Sequence, residues 1–374
     1  MYFENEKSAR LIFSDGTVFE GVLLGAKGTV FGEVVFNTSM TGYVETLTDA
    51  SYFGQIVVQT FPLIGNYGVS FKDFQSSRPW LNGYIVKSCC NNPSNSNCDL
   101  ALKEWLIQNN IVAIKGLDTR QITKKIRENG VLNGAITTQD FDSYDEIVNE
   151  AKNFKIKNAV QTVSTKKIEI LNKEEGEDLT VCVLDFGVKK SIVKNLQKRF
   201  KKVILLPYNT KAEEIFKLDV DGIVLSNGPG DPKDNEEIIE NLKEIQNLKK
   251  PIFGICLGHQ LLAIANGAKT EKLKYGHRGA NQPVIDLNDN KVYITSQNHG
   301  YYVLSSTLKK EVAKVYFSNL NDGSCEGIIY NKIPAFSVQF HPEAAAGPKD
   351  ANFLFDEFLK LIKKTKKSLT KLTI

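Results

Sequence analysis

The sequence predicts an α/β protein with an N-terminal β-rich mixed domain followed by a doubly wound, mostly parallel-sheet domain. Two observations favour this fold class. Beyond residue 179, short apolar runs alternate with amphipathic stretches, as in right-handed βαβ units with helices on both faces of a sheet. Before residue 150, short runs rich in β-branched and aromatic residues are bounded by turn residues, which indicates strands. We therefore expect domains at 1–150 and 179–374, joined by a Lys- and Glu-rich linker at 151–178.

The elements of the first domain follow from local signals. The Ser14-Asp15-Gly16 turn separates two apolar runs and predicts a hairpin. Thr119 precedes an amphipathic turn and is the expected N-cap of a helix. In chain order, the predicted elements are two strands within 9–24, strands at 55–59 and 84–86, and helices at 100–109 and 119–128.

The elements of the second domain alternate between strand and helix up to residue 255. They are strands at 181–186, 203–206, 222–226 and 252–255, alternating with helices at 191–200, 212–218 and 236–247. Short strands between residues 292 and 338 then indicate a mixed extension of the sheet, and an amphipathic helix at 352–364 closes the domain.

The composition fits a two-domain enzyme in a reducing compartment. With 374 residues and 42% hydrophobic content, the chain is long enough to bury large cores. No apolar run approaches the ~18 residues of a membrane span. Because the N-terminus lacks a signal-peptide pattern, we expect a cytoplasmic protein, or a stromal one if a plastid encodes it. The six cysteines form no C-x-x-C pair, so neither a zinc site nor a disulfide framework is expected.

The net charge of +4 comes from the C-terminal tail rather than from the body of the protein. Removing the six lysines of the last fifteen residues leaves a charge of −2 on the rest of the chain; they are Lys360, Lys363, Lys364, Lys366, Lys367 and Lys371. A body without excess positive charge is not expected to bind nucleic acid, and no membrane association is expected either. We interpret the tail as a solvated helix end, and docking to a partner is the alternative.

Residues 254–260 read G-I-C-L-G-H-Q and follow an apolar run. Glycines on both sides of Cys256 permit a sharp turn between a strand and a helix, as in a nucleophile elbow. Such a turn places the thiol at the N-terminus of the next helix, where the helix dipole favours a thiolate. Because a lone cysteine is more often a buried core residue, the prediction of a nucleophile depends on partners elsewhere in the chain.

Those partners are found in residues 337–343, which read S-V-Q-F-H-P-E. Pro342 disfavours helix at His341 and keeps this stretch extended. A nucleophilic cysteine needs a base, and the base needs an orienting group. We therefore expect His341 to be the base and Glu343 to hold its imidazole ring. His299 is interpreted as a hydrogen-bonded support residue rather than a second base.

Residues 221–232 read D-G-I-V-L-S-N-G-P-G-D-P, so an apolar strand ends in a Gly-Pro-Gly loop. Such a loop exposes backbone N–H groups at the carboxyl edge of a sheet. Beside a cysteine elbow, the N–H groups of Gly228 and Leu257 are expected to form an oxyanion hole. Residues 185–187 match the D-F-G of protein kinases, but the other kinase motifs are absent from the sequence, so we interpret them as structural.

Together these motifs resemble those of the class I, or triad, glutamine amidotransferases. The resemblance rests on S-N-G-P-G-D-P, G-I-C-L-G-H-Q, H-P-E and the Q-N-H-G at 297–300, which occur in the family's order. It covers roughly residues 180–365.

The N-terminal part is similar to the small, glutamine-hydrolysing subunit of carbamoyl-phosphate synthetase. The similarity is carried by G-E-V-V-F-N-T-S-M at 32–40, T-G-Y-V-E-T-L-T-D-A-S-Y at 41–52 and I-V-A-I-K-G-L-D-T-R at 111–120, and it extends the resemblance over nearly the whole chain. The sequence has Ala50 where that family more often has Pro, and Tyr301 where Phe is frequent. Neither difference is expected to alter the site much.

The resemblance implies a catalytic triad of Cys256, His341 and Glu343 and a set of residues that bind L-glutamine. The implied binding residues are Ser51, Gly228, Gly230, Leu257, Gln260, Asn298, Gly300 and Tyr301. It implies no metal and no cofactor in this chain. It also implies a heterodimer in which the N-terminal domain contacts a large subunit. That partner would bind ATP, Mg²⁺ and bicarbonate, receive ammonia through a tunnel and make carbamoyl phosphate for arginine and pyrimidine synthesis.

Three alternatives remain at this point. A free-standing hydrolase, such as a cysteine peptidase or a γ-glutamyl hydrolase, could use the same elbow without needing a partner. A binding module that has lost catalysis would not need Cys256, His341 and Glu343, and their presence disfavours it. The amidotransferases of guanylate or anthranilate synthesis lack a counterpart of the N-terminal domain.

Overall fold

The computed structural model describes residues 7–173 and 175–372, with side chains through Ser368. The chain divides between Ala159 and Val160 into two compact units. In the described part of the chain, no helix combines the length and apolar character needed to cross a bilayer.

The N-terminal unit consists of strands with a few helices on their connections. Its strands are β1 (Ser8–Phe13), β2 (Val18–Leu23), β3 (Thr29–Asn37), β4 (Gln55–Gln59), β5 (Leu63–Ile64), β6 (Gly83–Ile85), β7 (Ser88–Cys89), β8 (Val112–Lys115) and β9 (Leu132–Thr137). Its helices are α1 (Tyr43–Thr48), α2 (Leu102–Gln108), α3 (Thr119–Asn129) and α4 (Asp145–Asn153).

Most of these strands close into a barrel with the order β1-β2-β8-β6-β4-β3-β9. Strands β3, β4, β6 and β8 pair in parallel, and the remaining pairs are antiparallel. A core cluster joins Val57, Tyr84 and Ala113 of the barrel strands to Leu102 and Trp105 of α2. Closure leaves the barrel without an unpaired strand edge, which protects its backbone hydrogen-bonding groups.

The hairpin predicted around Ser14-Asp15-Gly16 is confirmed, because β1 and β2 pair antiparallel on either side of it. The predicted cap of the second helix is wrong by one residue. The Oδ1 atom of Asp118 accepts the Gln121 N–H at 2.9 Å, and Thr119 is the first residue of α3. Aspartate is as good an N-cap as threonine, so the sequence pattern alone did not separate the two neighbours.

The C-terminal unit alternates strands and helices. Its strands are β10 (Glu169–Asn172), β11 (Glu177–Asp185), β12 (Phe200–Pro207), β13 (Gly222–Leu225), β14 (Ile252–Ile255), β15 (Thr270–Asp286), β16 (Val292–Val303), β17 (Ala313–Asn319), β18 (Cys325–Tyr330) and β19 (Ala335–Val338). The helices, from the boundary onward, are α5 (Ala159–Val163), α6 (Lys190–Gln197), α7 (Ala212–Lys217), α8 (Glu236–Gln246), α9 (Leu257–Ala265) and α10 (Leu354–Leu372).

The strands form a single mixed sheet with the order β10-β12-β11-β13-β14-β19-β18-β16-β15-β17. Its parallel centre runs from β12 to β19, and the strands outside it pair antiparallel. Leu184 and Leu225 share one core with α8 and α9, whereas Val183 and Val224 share another with α6 and α10. Successive strand residues thus face helices on both sides of the sheet, and the predicted doubly wound fold is confirmed.

The antiparallel extension is larger than predicted. The sequence indicates only short strands from residue 292, but β15 already begins at Thr270 and β16 is twelve residues long. The β15–β16 pairing shifts register between Lys272 and His277 and again between Gly279 and Gln282. These irregularities interrupt the period-2 alternation by which strands are recognised in a sequence.

The segment 151–178, for which the composition predicts a linker, contains α5 and β10 between stretches of irregular chain. Strand β10 pairs antiparallel with β12 at the edge of the sheet. Just before it, the Thr165 N–H donates to Oδ2 of Asp185 at 2.7 Å. This hydrogen bond joins the segment to the last residue of β11.

Helix α10 covers the face of the sheet opposite α8 and α9, and Phe358 is its central contact. The side chain is fully buried between the rings of Phe200 and Phe253, with centroids 5.9 and 5.7 Å away. We expect Phe358→Ala to lower the free energy of unfolding by about 3–5 kcal/mol, because it removes buried apolar area and leaves a cavity. Urea unfolding measures this loss.

The matched control for this variant is Phe216→Ala, since Phe216 is a phenylalanine of the same unit that is 69% exposed. It should change the free energy of unfolding by no more than about 0.5 kcal/mol. Equal losses in the two variants would contradict the packing described for α10.

Candidate active site

The site lies at the carboxyl edge of the parallel strands, where neighbouring strands end side by side. Leu184 of β11 is in register with Leu225 of β13, and Ile255 of β14 is in register with Val338 of β19. The loops after these strands therefore meet at one edge of the sheet, where open α/β sheets bind their ligands.

Cys256 lies at the tip of the turn between β14 and α9, as the motif predicts. Its φ of 53° and ψ of −104° are unusual for a residue with a side chain and indicate a strained turn. Gly258 packs so tightly that an added Cβ would lie 2.3 Å from the Leu225 carbonyl oxygen. The second glycine of the motif is thus required by close backbone approach. The Cys256 thiol donates to the Asn298 carbonyl at 3.8 Å.

His341 and Glu343 form a buried pair, in which Nδ1 of His341 lies 2.7 Å from Oε1 of Glu343. The His341 N–H donates to the Ser296 carbonyl at 2.9 Å, which ties the loop after β19 to β16. Within the described residues, Nε2 of His341 has no hydrogen-bond partner. Since Nδ1–H donates to the carboxylate, Nε2 is the nitrogen left to exchange a proton with a reactant.

Lys189 is a third charged member of the site that the sequence did not single out. Its Nζ lies 3.3 Å from Nδ1 of His341 and 3.4 Å from Oε1 of Glu343, and the residue is 6% exposed. The lysine follows the D-F-G at the end of β11. In the sequence it stands two residues after the D-F-G that was interpreted as structural, and no local pattern indicates that the fold brings it beside the histidine.

The three charges shift the protonation equilibria of the pair in opposite directions. Burial raises the pKa of Glu343, but the His341 and Lys189 charges outweigh burial and lower it to about 2. Burial and the Lys189 ammonium lower the pKa of His341, but the Glu343 carboxylate and the neighbouring Cys256 side chain outweigh them and raise it to about 9. The pair is therefore an imidazolium and a carboxylate at neutral pH.

This ion pair makes stability depend on pH in a defined window. The lowered pKa of Glu343 contributes stability above the unfolded value of ~4.3, and this is lost as the pH falls toward 2. The raised pKa of His341 contributes stability below ~6.5, and this is lost as the pH rises through 9. We expect Glu343→Gln to cost about 2 kcal/mol between these limits, near pH 5–6, and less at either extreme. Urea unfolding across the pH range checks this, and a cost independent of pH would contradict it.

Several of the residues predicted to bind L-glutamine lie together beside the elbow. Gln260, in the first turns of α9, donates from Nε2 to the Tyr301 carbonyl at 2.7 Å and to Oε1 of Gln339 at 2.8 Å. His299 Nδ1 lies 2.8 Å from the same Tyr301 carbonyl. Burial lowers the pKa of His299 well below its usual value, so its ring is neutral and serves as a hydrogen-bonded support. Gln339 was not predicted; it holds the Gln260 side chain.

The remaining predicted site residues are glycines, a leucine and a serine. Gly228 and Gly230 lie in the loop after β13, and Leu257 is the first residue of α9, where a helical N–H has no intrahelical acceptor. Gly300 lies in β16. Ser51 belongs to the N-terminal unit, where it is 8% exposed in the turn Ala50–Tyr52 and donates its N–H to Oδ1 of Asp49.

A second buried group of ionisable side chains, at His277, His299 and Glu326, has the residue types of a metal site. His277 already has charged neighbours, with Nε2 3.0 Å from Asp322 Oδ2 and Nδ1 3.6 Å from Glu326 Oε1. Burial lowers the pKa of His277, but the two carboxylates outweigh burial and raise it. The two carboxyl groups that face the His277 ring are partners within the chain for this buried histidine.

The comparison with protein families agrees with this arrangement. Residues 182–361 match the family described as glutamine amidotransferase class-I, and residues 11–136 match the carbamoyl-phosphate synthase small chain, CPSase domain. The fold and the cysteine site of the C-terminal unit thus define a class-I glutamine amidotransferase domain.

Relatives of nearly the same length are described as carbamoyl phosphate synthase small chains. The carbamoyl phosphate synthase small chain of Clostridium perfringens is 48% identical and covers 94% of this chain and 99% of its own. That of Bacillus cereus is 51% identical over 96% of this chain and 97% of its own, and that of Staphylococcus haemolyticus is 49% identical over 95% and 96%. The chain belongs to the carbamoyl phosphate synthase small chain family.

Proposed function

We propose that this protein hydrolyses L-glutamine to glutamate and ammonia and delivers the ammonia to a synthetase large chain that makes carbamoyl phosphate. The observation that carries the proposal is Cys256 at a strained strand–helix turn, at the same sheet edge as the buried His341–Glu343 pair. A nucleophile, an acid–base group and an orienting carboxylate are the parts needed for acyl transfer.

In the first half of the reaction, the Cys256 thiol passes its proton to Nε2 of His341, and the resulting thiolate attacks the carboxamide carbon of glutamine. The oxyanion that forms accepts hydrogen bonds from the Leu257 and Gly228 N–H groups, each worth about 3 kcal/mol of transition-state stabilisation. The His341 imidazolium then donates its Nε2 proton to the leaving nitrogen. The C–N bond breaks, ammonia departs, and a γ-glutamyl thioester remains on Cys256. The raised pKa of His341 supports this role, because it keeps the ring protonated at neutral pH.

In the second half, the now neutral His341 takes a proton from water as the water attacks the thioester carbon. The C–S bond breaks, glutamate is released, and the thiolate and imidazolium are restored. Glu343 accepts the Nδ1–H of His341 in both halves, so the ring keeps Nε2 toward the reactants. Protons and electrons balance without a metal or cofactor in this chain.

The amino-acid end of glutamine is assigned to residues of the C-terminal unit around the elbow, with Gln260, Asn298, Gly300, Tyr301, Gly228 and Gly230 as the proposed contacts. Ser51 of the N-terminal unit is added to them from the sequence resemblance alone. The hydrogen bonds from Gln260 to Tyr301 and Gln339 support this assignment, since they fix the side chain of Gln260 before substrate arrives.

The N-terminal unit is proposed to contact the large chain, which would hold ATP and Mg²⁺ and use bicarbonate. The match of residues 11–136 to the CPSase domain of small chains, together with the relatives described as small chains, supports a heterodimer. The carbamoyl phosphate would serve arginine and pyrimidine synthesis.

The experiment that tests the proposal is glutamate release from glutamine by the purified chain, alone and with a carbamoyl-phosphate synthetase large chain plus ATP and bicarbonate. We expect a slow rate alone and a sharp increase with the partner. A full rate alone, indifferent to the partner, would instead indicate an independent hydrolase. No glutamate release in either condition would refute the proposed activity.

A further inference from the structure

Two loops at the carboxyl edge of the sheet are held together by hydrogen bonds and close packing. We call them the β11 loop (186–189) and the β13 loop (226–230), after the parallel strands they follow. Ser226 Oγ accepts the Phe186 N–H at 2.9 Å, and an added Cβ at Gly228 would lie 2.3 Å from the Phe186 carbonyl oxygen. The two loops are therefore packed backbone against backbone.

Asn227 makes the most specific connection between these loops. Its Oδ1 accepts the Lys189 N–H at 3.2 Å, and its Nδ2 donates to the Gly187 carbonyl at 3.0 Å. The residue is fully buried. Both the oxygen and the nitrogen of its carboxamide thus form hydrogen bonds with the backbone of the β11 loop, as a peptide group of a neighbouring strand would. An apolar side chain there would leave a buried donor and a buried acceptor without partners.

Each loop delivers one group to the proposed chemistry. The β13 loop carries Gly228, next to Asn227 in the chain, whose N–H is assigned to the oxyanion hole. The β11 loop carries Lys189, whose Nζ lies 3.3 Å from the His341 ring and 3.4 Å from Glu343. A residue that sets the distance between the loops sets the positions of both groups.

We propose that Asn227 is a positioning residue that holds the Lys189 ammonium against the His341–Glu343 pair while it fixes the Gly228 peptide beside Cys256. It touches no reacting atom and acts through its two neighbours. The inference rests on the proposed glutamine hydrolysis and identifies a residue that the triad and oxyanion-hole motifs do not include.

The proposed role of Asn227 predicts the direction in which the pKa of His341 changes when Asn227 is replaced. The titratable and charged groups around His341 are Glu343 on its own loop, Lys189 on the β11 loop, Cys256 on the elbow and His299 on β16. Among them, the Lys189 ammonium lowers the pKa of His341 and the Glu343 carboxylate raises it. Releasing the β11 loop moves the ammonium away and leaves the carboxylate, so the pKa of His341 rises.

The test compares Asn227→Leu and the smaller Asn227→Ser with wild type in the full-length protein. We expect kcat/KM for glutamine to fall by about 10-fold or more, mainly through kcat, because Gly228 and His341 act in the transition state. We expect the alkaline limb of the pH profile, where the imidazolium is lost, to move upward by about half a unit or more. The pKa of His341, measured by ¹³C NMR titration with the ring signal assigned by means of His341→Asn, should rise by a similar amount.

Two comparisons separate positioning from loss of structure. Ser226→Ala removes the hydrogen bond from the Phe186 N–H to the Ser226 hydroxyl, which also joins the two loops but does not involve Lys189. It should therefore leave the pKa of His341 unchanged. In a Lys189→Met background, Asn227→Leu should add no further upward shift, because both changes remove the same charge from His341.

If the pKa of His341 in a folded Asn227→Leu or Asn227→Ser protein equals the wild-type pKa, the inference is wrong. Because the NMR titration needs no turnover, it decides this point separately from the glutamate-release assay that decides the proposed activity.

Discussion

Cys256→Ser is expected to abolish glutamine-dependent carbamoyl phosphate synthesis in the complex with the large chain and to leave synthesis from added ammonia intact. A serine hydroxyl at this position has no thiolate form, and His341 is held as an imidazolium that cannot take its proton. We expect a loss of at least about 10³-fold in glutamine hydrolysis, the scale seen when a nucleophile is removed from a triad. Parallel assays with glutamine and with ammonium chloride measure the two activities.

Cys182→Ser is the matched control, since Cys182 is a fully buried cysteine of β11 in the same unit. It should retain most of the glutamine-dependent activity, although it buries a hydroxyl group at some cost in stability. If Cys256→Ser kept glutamine-dependent synthesis, the assignment of the nucleophile would be wrong. Loss of the ammonia-dependent activity as well would indicate disrupted assembly instead.

His341→Asn is expected to lower kcat for glutamine hydrolysis by about 10³-fold, because the variant lacks the imidazolium proposed to protonate the leaving nitrogen. His299 cannot replace it, since burial keeps that ring neutral and both of its nitrogens lie against Tyr301 and Gln297 oxygens. Initial-rate kinetics of glutamate release measure the change, which should fall on kcat more than on KM.

His277→Asn is the control for this variant, because His277 is also a buried histidine that faces carboxyl groups, those of Asp322 and Glu326, but has no proposed part in the proton transfers. It should remain within about 10-fold of the wild-type rate, a smaller change than the roughly 10²-fold lower bound of a general acid–base contribution. Equal losses in the two histidine variants would show that the His341–Glu343 pair has no special role in catalysis.

The strand–turn–helix around Cys256 could be predicted from the sequence because its causes are local. Gly254 and Gly258 are needed for close backbone approach, and an apolar run precedes them as β14 requires. His341 could be predicted because Pro342 and Glu343 adjoin it in the chain. These signals fall within a few residues of one another, where spacing determines geometry.

Lys189 and Asn227 could not be assigned in this way. They are 38 residues apart, and only the parallel pairing of β11 with β13 brings the loops that carry them together. Gln339 likewise meets Gln260 only because β19 lies beside β14 in the sheet. Each of these residues acts through a neighbour that is distant in the chain, so no local pattern indicates it.

Barrel closure in the N-terminal unit and the length of β15 escaped prediction for a related reason. An alternating pattern in the sequence predicts a strand but not the strand with which it pairs. The barrel closes where β1 pairs with β9, whose residues lie more than 120 positions later in the chain than their partners. In β15 the bulges around Gly276 and Gly279 break the alternation that would have marked a long strand.

The most direct test of the account is to quench the complex with acid during turnover of labelled glutamine and to locate the label on the chain. A γ-glutamyl thioester on Cys256 predicts label on the single peptide that contains this residue, lost on treatment with hydroxylamine and missing in Cys256→Ser. Label on another residue, or glutamate release at the wild-type rate with no labelled chain at any quench time, would contradict covalent catalysis by Cys256.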